Sequence, residues 1–160
     1  MTWRGSTTPA DRILACLPYL LPLVEVIVVA ARPGSILTEI PIFAVILTPI
    51  FPLVSFYLGL GFFRIAIFFA LFLLVVRNPN VSHFIRFNTM QAILIDITIF
   101  LASMIIDVIL APFGSFITLT LVSTVFLAVF AAVVYSVIQS ALGRYAEIPT
   151  FSEAVHMQVR

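Results

Sequence analysis

Three carboxylates stand inside apolar runs of this sequence, Glu25, Asp96 and Asp107. A charged group at mid-helix costs about 2.5 to 3.5 kcal/mol to place in a bilayer, so such residues face protein or water and mark ion paths, proton relays or paired charges. The densest group lies in RFNTMQAILIDITIFLASMIIDVIL, residues 86–110. At about 100° per residue, Thr89, Asp96, Ser103 and Asp107 fall within about 40° of one another, with Asn88 and Ala92 beside them. One face of that helix is polar. Gln91 stands in the same stretch, and Tyr135 and Gln139 belong to a second stripe further on.

Other chemistry finds little to stand on. Cys16 is alone in an apolar run, which excludes an intrachain disulfide or a cysteine metal cluster. His83 and His156 have no neighbours at metal-ligand spacing. Gly59 and Gly61 are too short a glycine motif to cradle phosphate. The arginines are scattered singly, whereas nucleic-acid binding needs a clustered basic face. The expectation is a protein that is not an enzyme, takes no cofactor or metal and binds no nucleic acid.

The elements that position these residues are membrane spans. Hydrophobic residues make up 62% of the 160 and charged ones 9%, against about 25% charged in a soluble domain. Mean hydropathy is +1.23. From Phe87 the polar-faced helix is about 36 Å long at ~1.5 Å per residue, enough for a hydrocarbon core of roughly 30 Å. About a dozen Leu, Ile, Phe and Val residues return roughly 0.3 to 0.6 kcal/mol each, nearly cancelling the cost of Asp96 and Asp107. Those acids therefore sit against protein or water.

In chain order, residues 1–12 form a polar tail and residues 13–31 the first span. Its 19 residues, with Pro18, Pro22 and Glu25 inside, read poorly as a cleaved secretory signal. Nor is there a long Ser- and Arg-rich leader of the organelle type. Pro18, Pro22, Glu25 and Arg32 share one face, which looks inward because each proline frees a carbonyl that neighbours must satisfy. Glu25 either pairs with an arginine such as Arg64 or lines a hydrophilic path. Residues 40–58, IPIFAVILTPIFPLVSFYL, are uncharged and apolar, but Pro41, Pro49 and Pro52 argue against a regular helix and push Thr48 and Phe51 toward extended conformations. Further spans are expected over 58–76, 87–110 and 115–142, with a cytoplasmic tail at 143–160. Arg64 snorkels near the start of the second. Asn78-Pro79 marks a turn, and Gly143 ends the last helix. On that helix Thr124, Ala128, Ala131, Tyr135 and Gln139 form one stripe, open to helix packing or to a polar path.

Arginine placement chooses the topology. If 37–57 is re-entrant or interfacial, Arg4, Arg12, Arg77, Arg86, Arg144 and Arg160 share one side and only Arg32 and Arg64 lie opposite. If it crosses, the split is three against five with the larger share outside. The positive-inside rule favours the first arrangement: an all-α domain over 13–142 of four spans plus a Pro-rich re-entrant or interfacial segment, both ends cytoplasmic. Arg77, Arg86 and Arg144 then anchor the chain at an anionic headgroup layer.

The runs LPYLLPLVE (17–25), VVRNPN (75–80), RFNTMQAILIDI (86–97), YSVIQSALG (135–143) and IPTFSEAVHMQV (148–159) resemble the Tic20 family of chloroplast inner envelopes and cyanobacteria. The resemblance runs from about Arg12 to the C-terminus, and RFN-x-MQA with its following Asp is the most specific piece. It implies four membrane helices with both termini on the stromal or cytoplasmic side. It also implies the membrane core of a protein-import translocon, forming or lining a channel for precursor polypeptides. Arg86, Asn88, Gln91 and Asp96 fall in its signature helix. Without a leader, the expected location is a cyanobacterial plasma membrane, or the chloroplast inner envelope for a mature plastid form.

Three functions compete on these grounds. A protein-conducting subunit needs several copies or other translocon subunits, because four helices leave almost no lumen. A small-solute or ion transporter would use the buried carboxylates directly. A non-transporting assembly scaffold would use the polar stripes only to hold helices, partners and membrane lipids.

Overall fold

The computed structural model describes residues 7–159, the side chain of Thr150 excepted. In chain order the helices are α1 (Pro9–Ala30), α2 (Pro41–Gly59), α3 (Gly61–Val76), α4 (His83–Phe113), α5 (Ser115–Ala141) and α6 (Pro149–Gln158), with a single helical turn at Ile36–Glu39. Of these, α1, α2, α4 and α5 are long and apolar enough to cross a membrane, and α3 is a shorter apolar helix. The described residues contain no strand.

Local chemistry sets the boundaries. α1 starts at Pro9 because Thr8 and Asp11 form a capping box: the Asp11 amide donates to Thr8 Oγ1 at 3.1 Å and the Thr8 amide to Asp11 Oδ2 at 3.0 Å. Pro18 and Pro22 both turn inward, as the shared proline face required, and the helix tightens to a 3₁₀ turn at Leu17–Tyr19. The expectation of extended backbone at Thr48 and Phe51 fails. Both are helical, because α2 restarts at Thr48–Ile50 and again at Phe51–Gly59, putting Pro49 and Pro52 in first turns where a missing N–H costs little. The break falls at Leu60, so the Pro-rich stretch is helical over Pro41–Gly59 and the run after it over Gly61–Val76.

Helices α1, α4 and α5 enclose the core, filled by Tyr19, Ile27, Ile95, Ile99 and Phe126. Phe43 of α2 packs edge-on against Phe126 and Phe130, with ring centroids 5.2 and 5.9 Å away. The chain after α5 is less of a free tail than its polarity implied. Val155 and Val159 pack on Phe87, Met90 and Ile93 of α4, and His83 Nδ1 lies 3.0 Å from the Tyr145 hydroxyl.

Contacts at the two ends of the bundle fix the sense of every helix. At one end Ser82, the N-cap of α4, donates to Asp11 Oδ1 at 3.2 Å, and Gly143, just past α5, lies against Thr7 and Arg12. At the other, Arg32 meets Asp107, and the Ile36 amide donates to Ser123 Oγ at 3.0 Å. The intervening chain therefore starts at the far end and finishes at the near one. α2 and α3 together make one net passage. α3 completes it, from Arg64 beside Glu25 to Val76, whose carbonyl accepts from Arg86 Nε at 2.8 Å.

Gly143 closes α5 with its amide on the Ser140 carbonyl and that of Arg144 on Gln139, at a φ of 74°. A Cβ there would stand 2.5 Å from Thr7 Oγ1 and 2.9 Å from Arg12 Nε. Gly143→Ala is expected to lose about 1–3 kcal/mol from left-handed backbone strain and that clash, measured by unfolding in detergent micelles.

Candidate functional site

Tyr19, Asn88, Gln91, Ser136 and Ser140 are fully buried and meet where α1, α4 and α5 converge. The Tyr19 hydroxyl donates to Asn88 Oδ1 at 3.0 Å, and Ser140 Oγ donates to the same oxygen at 2.8 Å. Asn88 Nδ2 turns back to the Phe84 carbonyl at 2.8 Å. Gln91 Nε2 donates to both the Tyr19 hydroxyl, at 3.1 Å, and Ser136 Oγ, at 3.2 Å. Two amides one turn apart on α4 thus hold both neighbouring helices. Such bonds matter in lipid, where no water competes for the groups.

A second group lies deeper. Arg64 Nη1 stands 3.9 Å from Glu25 Oε2, and the guanidinium carbon sits 5.3 Å above the Tyr57 ring. Asp96 is close enough to Glu25 for their charges to interact, and its Oδ1 is buried without a hydrogen-bond partner among the described residues. Four elements, α1, α2, α3 and α4, contribute one side chain each. The pairing of Glu25 with Arg64, one of the two readings open in sequence, is what the structure contains.

Asp107 does not continue this group. It lies about 16 Å further along α4 at ~1.5 Å per residue. There it is exposed and forms a two-pronged ion pair with Arg32, at 2.6 and 2.9 Å. Ser103 Oγ returns to its own helix at the Phe100 carbonyl, 2.9 Å away. The polar face of α4 therefore breaks into a buried hub, a mid-helix charge cluster and a surface pair, and is not one continuous path.

The expected stripe on α5 is displaced. Thr124, Ala128, Ala131 and Tyr135 are exposed, Tyr135 by 41%, and Gln139 is half-buried. The inward stripe is Val122, Phe126, Val129, Val133, Ser136 and Ser140. Tyr19, Ser136 and Ser140 were missed by sequence reasoning. The available signal was weak: a lone tyrosine in an apolar span, and two serines one turn apart, each needing a partner in lipid. Arg77 and Arg144 are exposed at the near end, and Arg86 there is half-buried on the Val76 carbonyl.

A family model described as chloroplast import apparatus Tic20-like matches residues 8–155. A Tic20 family protein of Synechocystis sp. is 44% identical over 152 residues, covering 94% of this chain and 93% of that protein. Protein TIC 20-v, chloroplastic, of Arabidopsis thaliana is 32% identical, covering 96% of this chain and 73% of its own. Tic20 family protein Ycf60 of Porphyra purpurea is 31% identical, covering 99% and 80%.

Replacing Asn88 by Leu leaves the hydroxyls of Tyr19 and Ser140 without their acceptor. The expected loss is about 1–3 kcal/mol, since single interhelical bonds in bilayers contribute roughly 0.6 to 1.7. Tyr135→Phe, on the exposed face, is expected to change stability by less than about 0.5 kcal/mol. Unfolding of both variants in mixed micelles reads the contrast.

Proposed function

The chain belongs to the Tic20 family, and from that premise we propose that it is a membrane core subunit of a protein translocon, lining a route for polypeptides only as part of a larger assembly. One observation carries the assembly requirement. The space between α1, α4 and α5 is filled by side chains, with Tyr19, Ile95, Ile99 and Phe126 fully buried, so one copy offers no lumen along its axis. The route then runs between copies or between this chain and other subunits. Wide apolar surfaces are available for that, including Phe62, Val108 and Phe116.

In this proposal the near end, which carries Arg12, Arg77, Arg86 and Arg144, faces the cytoplasm or stroma with both termini. α1, α4 and α5 cross. The single net passage of α2 and α3 is completed by α3, with the Pro-rich α2 as the re-entrant or interfacial member. A cyanobacterial plasma membrane is the location proposed.

A second reading rests on a specific observation: Glu25, Arg64 and Asp96 place charge well inside the membrane-spanning region. A proton or cation carrier would use such a cluster.

The native complex in mild detergent is expected to exceed the 17.7 kDa of one chain several-fold, with reporters after Arg77 and at the C-terminus both reading the inner side. Strictly monomeric behaviour in lipid would overturn the assembly, and both reporters reading the outer side would overturn the topology. In liposomes, Asp96→Asn is expected to leave proton and small-cation flux unchanged. A flux that the wild type carries and the variant loses would favour the carrier reading.

A further inference from the structure

Two rows of side chains on α3 meet different surroundings. One row, with Ile67 and Val75, lines an apolar cleft of about 730 Å³ between α1, α2, α3 and α4. The neighbouring row, with Phe68 and Phe72, packs against a buried cluster in which Val76, Phe87, Met90 and Ile93 are joined by Val155 and Val159 from beyond α5. Lipid suits such side chains as well as protein does, so burial alone does little to hold α3 on α4.

The first turn of α4 grips the near end of that seam. Arg86 Nε donates to the carbonyl of Val76, the last residue of α3, at 2.8 Å. One turn earlier, His83 stands between two points of the C-terminal chain: its Nε2 lies 3.3 Å from the Val159 carbonyl and its Nδ1 3.0 Å from the Tyr145 hydroxyl. A carbonyl only accepts, so Nε2 donates to Val159, and in the neutral ring Nδ1 accepts from Tyr145. One side chain thus ties the chain just before α6 and the chain just after it. Between the two ties α6 contributes fully buried Val155 to the cluster, and the Tyr145 ring meets Phe84 and Phe87 edge-on, with centroids 5.2 and 5.0 Å away. The opposite side of α6 exposes Glu153, His156 and Gln158. An amphipathic helix of this kind suits the headgroup layer, where burying valine away from water is favourable as it is not within lipid.

We propose that residues 145–159 form a strap, clasped by His83, which holds α3 on α4 and whose release lets α3 swing away from α1, α4 and α5. What the opening serves rests on the translocon reading: a polypeptide segment enters or leaves laterally beside the bundle. The strap itself does not depend on that reading.

The test places pairs of spin labels on the full chain in lipid nanodiscs, in a Cys16→Ser background, and reads distances by pulsed electron paramagnetic resonance. Leu74→Cys with Tyr135→Cys follows α3, Met157→Cys with Tyr135→Cys follows the strap, and Ile13→Cys with Tyr135→Cys follows α1 against α5; all four positions are exposed. His83→Phe keeps a ring in place and removes both ties. It is expected to raise the share of longer strap and α3 distances about tenfold, as for two hydrogen bonds of modest net worth, with the α1–α5 distance unchanged. Val155→Ser loosens the strap without touching His83 and is expected to move the same two distances in the same direction. A strap that stays in place in both variants overturns the clasp, and a detached strap with α3 unmoved overturns its hold on the seam. An α1–α5 distance that changes with the others makes residues 145–159 part of the core and overturns the proposal as well. A native complex no larger than one chain would strike the translocon reading and leave these distances as expected.

Discussion

Acyl chains are as apolar as leucine, so burying leucine between helices in a bilayer gains little over leaving it in lipid, and helix association rests on close packing and hydrogen bonds. In this protein those bonds radiate from Asn88 and Gln91 to Tyr19, Ser136 and Ser140. Each acceptor and donor has one position along its helix from which it can reach the hub, so the hub fixes the register of α1 and α5 against α4. With the register set, Ser82 meets Asp11 at one end and Arg32 meets Asp107 at the other. The exposed ion pair contributes little by itself in water, where such pairs give about 0–1 kcal/mol. Its value is geometric, since it joins the turn after α1 to α4 at the end the hub does not reach.

The middle of the chain is organised differently. α2 and α3 stand outside the hub and touch α1 and α4 mainly through apolar side chains, Val54, Tyr57, Leu71 and Val76 among them. Prolines at 41, 49 and 52 each fall in the first turn of a helical segment, which lets α2 bend without leaving carbonyls unsatisfied over a long stretch. The result is a pair of helices packed beside the hub-bonded trio, with the cleft between α1, α2, α3 and α4. Among the described residues, the polar contacts from α2 and α3 to α1 and α4 include the group at Glu25 and Arg64 and the Arg86 bond to the Val76 carbonyl.

Much of this was legible in the sequence, and what was not has a physical reason. The all-α class and the inward proline face of α1 follow from hydropathy and from what proline does to a hydrogen-bond ladder. The span-length helix in the middle of the chain, by contrast, is Pro41–Gly59, and the run expected to span there, 58–76, is the shorter one. The Glu25–Arg64 pair was anticipated because an isolated charge in lipid must find a partner. The inward stripe of α5 was misplaced by one residue, with Tyr135 and Gln139 preferred over Ser136 and Ser140. A membrane helix is apolar all round, so periodicity carries almost no signal about which side faces protein. Larger polar groups look like better glue than serine until the helix spacing is known. Serine is small enough to let α5 approach α4 while bonding Asn88 and Gln91. The continuous polar path over Asp96, Ser103 and Asp107 failed for a related reason. A shared wheel angle says nothing of depth, and Asp107 lies far enough along α4 to reach the surface and Arg32.

The placement of the charges bears on how a closed bundle can serve transport. Had Glu25, Asp96 and Asp107 converged at the centre of α1, α4 and α5, a hydrated path through one copy would follow. Instead the centre is packed with aromatic and aliphatic side chains, and the deep charges sit on the side where α1 and α4 meet α2 and α3. Arg64 offsets one of the two carboxylates, which leaves the second needing water, a proton or a cation from a neighbouring molecule. On the translocon reading proposed above, a hydrophilic route runs beside the bundle and not through it, at the face where α1 and α4 meet α2 and α3.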